Sequence, residues 1–190
     1  MMKISTLCVF CGSSMGAENA YAEAAQSLGG VLAARKIHMI YGGSNAGLMG
    51  CTARGALDCS GQVTGVITRD LHEQTDPLDV SELVIVDSMH ERKTRMYDLS
   101  DAFIALPGGI GTLEELLESL TWNQLGIFRK PVGVLNTLGF FDPLLAMLDH
   151  RCGQGFLKQV HRDHLVSSED PEHLLDQLAS RQGAYVRKWQ

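Results

Sequence analysis

The sequence predicts an α/β fold, a doubly wound, Rossmann-like parallel sheet flanked by helices, with 1–190 forming a single domain. Two observations carry that expectation. Short apolar runs alternate with longer stretches of helical periodicity along the chain, and strand–helix–strand units cross over right-handed into parallel sheets covered on both faces. Glycine-bearing turns follow three of the apolar runs, where such sheets bind their ligands.

Ile4–Phe10 reads as the first strand and runs into the turn Cys11-Gly12-Ser13-Ser14-Met15-Gly16. Asn19 to Arg35 carries Ala22, Ala25, Leu28 and Leu32 near helical spacing, although Gly29-Gly30 weakens the pattern. Ile37–Tyr41 is a second strand ending in Gly42-Gly43-Ser44-Asn45-Ala46-Gly47, and Leu48 to Cys59 is helical. Gln62–Thr68 and Glu82–Asp87 are strands separated by a polar surface loop from Arg69 to Ser81. Met89–Leu99 is a basic helix, Ala102–Leu106 a strand, Thr112–Leu125 an amphipathic helix and Val132–Leu135 a sixth strand. Phe140–Arg151 and Pro171–Ala179 are the last helices, with Ser167-Ser168-Glu169-Asp170 as the start signal of the second.

Composition narrows the function. The 190 residues are 45% hydrophobic and 20% charged, which excludes a disordered chain. Sixteen basic against 22 acidic residues, a net charge of −6, argue against nucleic acid as partner. No run approaches the length of a membrane span, and the apolar stretch Leu7 to Phe10 is too short for a signal-peptide core, so a cytoplasmic protein with no membrane partner is expected. Five cysteines suit neither a disulfide framework nor a zinc site. Cys8 and Cys11 form C-x-x-C, but Cys8 lies inside the apolar run Leu7–Phe10, so both are expected as small buried hydrophobes. Cys51, Cys59 and Cys152 have no ligand-like neighbours, and no metal is expected.

Gly12 and Gly16, then Gly42, Gly43 and Gly47, then Gly108, Gly109 and Gly111 all follow strand ends. Tight turns alone could require them, but three on one ligand-binding edge favour an anionic site. No turn continues as Gly-Lys-Ser/Thr, so a P-loop is excluded. The dinucleotide pattern G-x-G-x-x-G fails because Glu114 replaces its third glycine, a negative charge beside a pyrophosphate. Pro107-Gly108-Gly109-Ile110-Gly111-Thr112 entering a helix suits a single phosphate. Glu115 has two readings. It completes a capping box with Thr112, or it sits beside the phosphate loop, ionised by the helix dipole, to stabilise a cation or hold a water. Met89-His90-Glu91-Arg92-Lys93-Thr94-Arg95-Met96 is either a solvated helix face, with Arg92 and Arg95 sharing it, or a phosphate or substrate clamp. His38, His72, His150, His161, His164 and His173 are scattered singly and receive no role.

Pro107-Gly108-Gly109-Ile110-Gly111-Thr112-Leu113-Glu114-Glu115 resembles the P-G-G-x-G-T-x-x-E signature of the LONELY GUY (LOG) family, and Met89-His90-Glu91-Arg92-Lys93 its M-H-x-R-K segment. Phe10 to Ser14, Tyr41-Gly42-Gly43, Gly47 to Gly50 and Ser100 to Leu106 are similar too, and the likeness fades after about Arg151. Proteins of this kind are often labelled possible lysine decarboxylases, but a pyridoxal-phosphate decarboxylase is expected to be far larger.

The resemblance implies a cytokinin riboside 5′-monophosphate phosphoribohydrolase. Such an enzyme hydrolyses the N-glycosidic bond of AMP or an N6-substituted AMP to free base and ribose 5-phosphate, without a cofactor. The family's essential arginine and glutamate fall on Arg92 and Glu115. Its substrate contacts imply a set of Ser13, Gly43, Lys93, Gly108, Gly109, Ile110, Gly111, Thr112, Leu113, Glu114 and Thr121. Gln74 joins that set and stands where many members have a glutamate, which bears on contacts to the base or sugar. The family also implies a homodimer. A carrier of a nucleotide or molybdenum-type cofactor without hydrolysis is the alternative, and a partner-binding module is a third.

Overall fold

The computed structural model describes residues 3–75 and 78–181. Over these residues the chain runs β1 (Thr6–Phe10), α1 (Asn19–Ala34), β2 (His38–Tyr41), α2 (Gly47–Asp58), β3 (Val63–Thr68), α3 (Arg69–Gln74), β4 (Glu82–Val86), α4 (Met89–Leu99) and β5 (Ala102–Ala105). It continues through α5 (Ile110–Leu125), β6 (Val132–Leu135), a 3-10 turn (Thr137–Gly139), α6 (Asp142–Gly153), α7 (Gln159–Arg162), β7 (Leu165–Ser168) and α8 (Pro171–Ser180). The strands form one sheet in the order β4-β3-β2-β1-β5-β6-β7, with every pairing parallel. Strand order reverses between β1 and β5, where Leu7 lies opposite Ala102 and Phe10 opposite Ala105.

Alternation along the central strands divides the core into two layers. Leu7 and Val9 of the first strand and Cys11 just after it, with Ala102 and Ile104 of the fifth and Leu106 just after it, pack under α1, α2 and α8. Cys8, Phe10, Phe103 and Ala105 face the opposite way, under α4 and α5. Burial on both faces explains why these strands read as continuous apolar runs. Gly29 has its reason here. Helices α1 and α2 cross so closely that a Cβ on Gly29 would overlap the Thr52 carbonyl, and one on Gly55 the Gln26 carbonyl.

The expected elements are present; the 3-10 turn Thr137–Gly139 and the short α7 (Gln159–Arg162) add to them, and four further differences bear on the fold. The stretch expected as a loop from Arg69 opens with α3, because the Thr68 hydroxyl caps the Leu71 N–H at 3.4 Å; residues 76 and 77 lie outside the described residues. Strand β7 is not expected from the sequence; it supplies the sheet edge and takes in the first two residues of the Ser167–Asp170 signal. That signal does start α8, with Asp170 capping the His173 N–H at 2.7 Å. Helix α6 begins at Asp142 rather than Phe140, since Asn136 holds the Phe141 N–H at 2.7 Å in the preceding turn. Helix α5 begins two residues before Thr112, with Gly109 at its N-cap.

Candidate active site

The three glycine turns dovetail at the reversal point. The Gly12 N–H donates to Pro107 O at 3.1 Å and Gly12 O accepts from Leu48 N–H at 3.0 Å, which ties the first turn to the other two. A Cβ on Gly108 would overlap Thr112 Oγ1 and approach the Gly12 nitrogen to 2.8 Å. Gly47, at φ +53, lies so close to Ser13 that a side chain would strike its backbone. Gly42 leaves room for the Arg92 guanidinium. Packing therefore accounts for these glycines. Gly109 and Gly111 differ: both have negative φ or helical geometry, and a Cβ on either would meet nothing within 4 Å. Their missing side chains leave space rather than relieve a clash.

That space belongs to a cavity of about 510 Å3, whose wall includes Ser13, Gly42, Arg92, Gly109 to Thr112, Glu114 and Glu115. The first intrahelical bond of α5 runs from Leu113 N–H to Gly109 O at 3.2 Å, so the N–H groups of Ile110, Gly111 and Thr112 have no acceptor within the helix. Together with the positive helix end they suit an anionic group. Met49, Ile67, Leu71, Met89 and Met96 give the rest of the wall an apolar character.

Arg92 is buried, 8% exposed. It donates from Nε to Val66 O at 2.8 Å and from Nη2 to Gly42 O at 3.1 Å, which binds it to β3 and to the turn that follows β2. Its Nη1 lies 3.8 Å from Glu115 Oε1, an ion pair without a hydrogen bond. The Glu115 side chain is 13% exposed. Burial pushes its carboxyl up to about 7, with Arg92 pulling the other way and Glu114 adding to the rise. The expectation that the helix dipole keeps this carboxylate ionised is corrected: as the sixth residue of α5, Glu115 lies past the first turn, and burial raises its carboxyl. The capping-box reading of Glu115 is overturned as well. Gly109, not Thr112, occupies the N-cap, and no side-chain cap bond forms there.

Ser13, Arg92, Gly109, Ile110, Gly111, Thr112, Glu114 and Glu115 line the cavity together. The other expected contacts stand apart from it. Gly108 and Gly43 lie in the supporting turns, and Leu113 packs on the α4–α5 side of the core. Gln74 ends α3 and is exposed, while its neighbours Leu71 and Thr75 reach the cavity wall. The Lys93 ammonium is held by Glu114 Oε1 at 2.6 Å and Glu118 Oε2 at 3.0 Å. Burial works against that charge, yet the two carboxylates leave it raised above the ordinary lysine value. Thr121 donates to Leu117 O at 2.7 Å and lines a separate cavity of about 340 Å3 with Met147 and Phe156. Arg95 is exposed, so it does not share the buried position of Arg92.

Sequence reasoning missed Tyr97 and Glu118, which join α4 to α5 behind the pair. The i to i+4 spacing of Lys93 and Tyr97 was their only signal. Cys8 and Cys11 are free, buried thiols that burial pushes up, consistent with a core role. Among the described residues, no three His, Cys, Asp or Glu side chains are grouped to hold a metal ion, and no helix is long and apolar enough to cross a membrane.

Residues 49–178 match the family described as "Possible lysine decarboxylase". "Probable cytokinin riboside 5'-monophosphate phosphoribohydrolase LOGL1" of Oryza sativa subsp. japonica is 47% identical over 177 residues, 93% of this chain and 79% of that protein. "Cytokinin riboside 5'-monophosphate phosphoribohydrolase LOG3" of Arabidopsis thaliana is 45% identical over 178 residues, covering 93% and 82%. Among solved structures, the molybdenum cofactor binding protein of Rippkaea orientalis superposes with a TM-score of 0.70 at 20% identity, over 95% of this chain and 98% of that one, a likeness of fold. The sequence matches span both the glycine loop and the Arg92–Glu115 pair, and this chain belongs to the LONELY GUY (LOG) family.

Proposed function

We propose that the protein hydrolyses the N-glycosidic bond of adenosine 5′-monophosphate or an N6-substituted derivative, releasing free base and ribose 5-phosphate. The observation that carries this reading is the placement of Glu115. Its buried carboxyl shares one cavity with the unpaired N–H groups of the α5 N-terminus. A carrier of the same nucleotide would gain nothing from a second negative group beside the phosphate.

The 5′-phosphate binds at Gly109 to Thr112, and that remote binding energy positions C1′. As the C1′–N9 bond lengthens, positive charge grows on the ribose. Ionised Glu115 stabilises that charge and takes a proton from the attacking water. The hydroxyl goes to C1′, the bonding pair leaves with the base, and the base takes up a proton. A carboxyl pushed up to about 7 is poised for such a transfer near neutral pH. Arg92 holds the carboxylate's orientation from a fixed position. The apolar wall of Met49, Ile67, Leu71, Met89 and Met96 favours the base and an N6 substituent. We place the protein in the cytoplasm, as one domain, acting as a homodimer and without nucleic-acid or membrane partners.

Incubation with a panel of nucleoside 5′-monophosphates, including N6-modified ones, and chromatography of the products tests the reading. Free adenine-type base and ribose 5-phosphate are expected, with kcat/KM rising to a plateau above about pH 7. Tight nucleotide binding without base release would establish the carrier instead.

A further inference from the structure

Behind the Arg92–Glu115 pair, a second set of side chains ties α4 to α5. Lys93 Nζ and Tyr97 Oη converge on the same oxygen, Glu118 Oε2, at 3.0 and 2.7 Å. The Tyr97 hydroxyl also lies 3.4 Å from the main-chain oxygen of Glu115 itself. Tyr97 is a fixed point: its ring sits among Phe10, Phe103, Trp122 and Phe128, with centroids 4.8 to 6.2 Å away. Its main-chain carbonyl accepts from Lys130 Nζ at 2.7 Å. Arg92 cannot drift to follow Glu115, because its Nε and Nη2 are held by carbonyls of the sheet. The gap between the pair is therefore set by how α5 is held against α4.

We propose that Tyr97 and Glu118 are positioning residues that, with Lys93, lock α5 at the spacing where Glu115 stands beside Arg92 without a direct hydrogen bond. This rests on the hydrolase reading of the same site. A shorter gap would occupy the carboxylate oxygen that must face the ribose, and a longer one would remove the cation that offsets burial. The charges facing Glu115 are Arg92 and Lys93 from α4 and Glu114 and Glu118 from α5; the thiols of Cys8 on β1 and Cys11 just after it stay neutral. Lys93, implied by resemblance to touch substrate, acts here through Glu114 and Glu118.

The test compares the wild type with Tyr97→Phe, Glu118→Gln, Glu118→Asp and Lys93→Met by AMP kinetics and by a carbon-13 NMR titration of the Glu115 carboxyl. Tyr97→Phe keeps the ring and its packing. Tyr97→Phe and Glu118→Gln are each expected to lower kcat at least ~10-fold with KM within ~2-fold, the mark of lost alignment rather than lost binding. Glu118→Asp is expected to recover part of that loss. Glu118→Gln removes a like charge and moves the Glu115 midpoint down, whereas Lys93→Met removes an opposing one and moves it up, each by at least ~0.5 pH unit. Folded Tyr97→Phe and Glu118→Gln proteins with unchanged kcat and an unmoved midpoint, or a loss confined to melting temperature, would overturn the proposal. A wild type that releases no base would overturn the hydrolase reading instead; the Glu115 midpoint of Tyr97→Phe, a change that removes no charge, then decides the positioning, a moved midpoint supporting it and an unmoved one overturning it.

Discussion

Two arginines sit in helix seams on the two faces of the sheet and use their charge differently. Arg35, at the end of α1, meets two acids of α8 directly: Nε bonds Glu172 Oε2 at 2.6 Å and Nη1 bonds Asp176 Oδ1 at 2.6 Å. Its side chain is 30% exposed, so water screens the pair. Arg92 gives its bonds to carbonyls and stops 3.8 Å short of its carboxylate in a buried cavity. The Arg35 pair is electrostatically complete and fastens a helix. The Arg92 pair is incomplete where burial is deep, so Glu115 keeps a proton affinity near neutrality. An ion pair left open in a desolvated site is a chemical device, whereas one closed at the surface is a fastener.

That contrast breaks most sharply on turnover. Glu115→Gln and Arg92→Ala should each lower release of adenine from AMP by at least ~100-fold, the scale of a lost general base. Near-normal release by both folded variants would end the assignment.

Stability should move the other way. A folded pKa raised to about 7 means that ionised Glu115 is worse off in the fold than in the unfolded chain. The cost begins as pH rises past the carboxyl's unfolded value, near 4.5, and is complete above about 7. Glu115→Gln should therefore be more stable than the wild type by about 2 kcal/mol in urea unfolding at pH 8, and no more stable at pH 4. Equal gains at both pH values would show that burial of the charge is not the cause.

The glycine loop offers a finer contrast between neighbours. Gly109→Ala projects a methyl into open space and should weaken AMP binding by about 10-fold, measured calorimetrically, with an unchanged melting temperature. Gly108→Ala strikes Thr112 Oγ1 and the Gly12 backbone and should lower the melting temperature. The smallest effect belongs to Arg35→Ala. It should cost about 1 kcal/mol or less, fade with added salt and leave kcat untouched.

Much of this was legible in the sequence. The strand–helix alternation, the glycine loop Gly108 to Thr112 and the pair Arg92 and Glu115 all stand out as short, local patterns. Strand β7 did not, because Leu165–Ser168 is four residues with two apolar members, and its pairing with Val132–Leu135 supplies what local propensity lacks. Helix α3 was hidden because a six-residue helix leaves no periodicity, only the Thr68 cap. Thr121 and Gln74 were linked to the site through resemblance, yet one faces a second cavity and the other the solvent at the rim.

By itself the sequence determined that a glycine-rich turn would precede a helix bearing Glu115, because turn chemistry and helix periodicity are local properties of the chain. It could not tell a capping glutamate from one buried in the wall of a cavity. Only tertiary structure decided that, by bringing β1 and β5 together at the order reversal and burying Glu115 beside an arginine 23 positions away in sequence that the sheet carbonyls hold in place. The physical reason is that desolvation and charge coupling depend on distances in space. The same carboxyl that would be an ordinary acid on an isolated helix is pushed up to about 7 by burial when the fold closes around it.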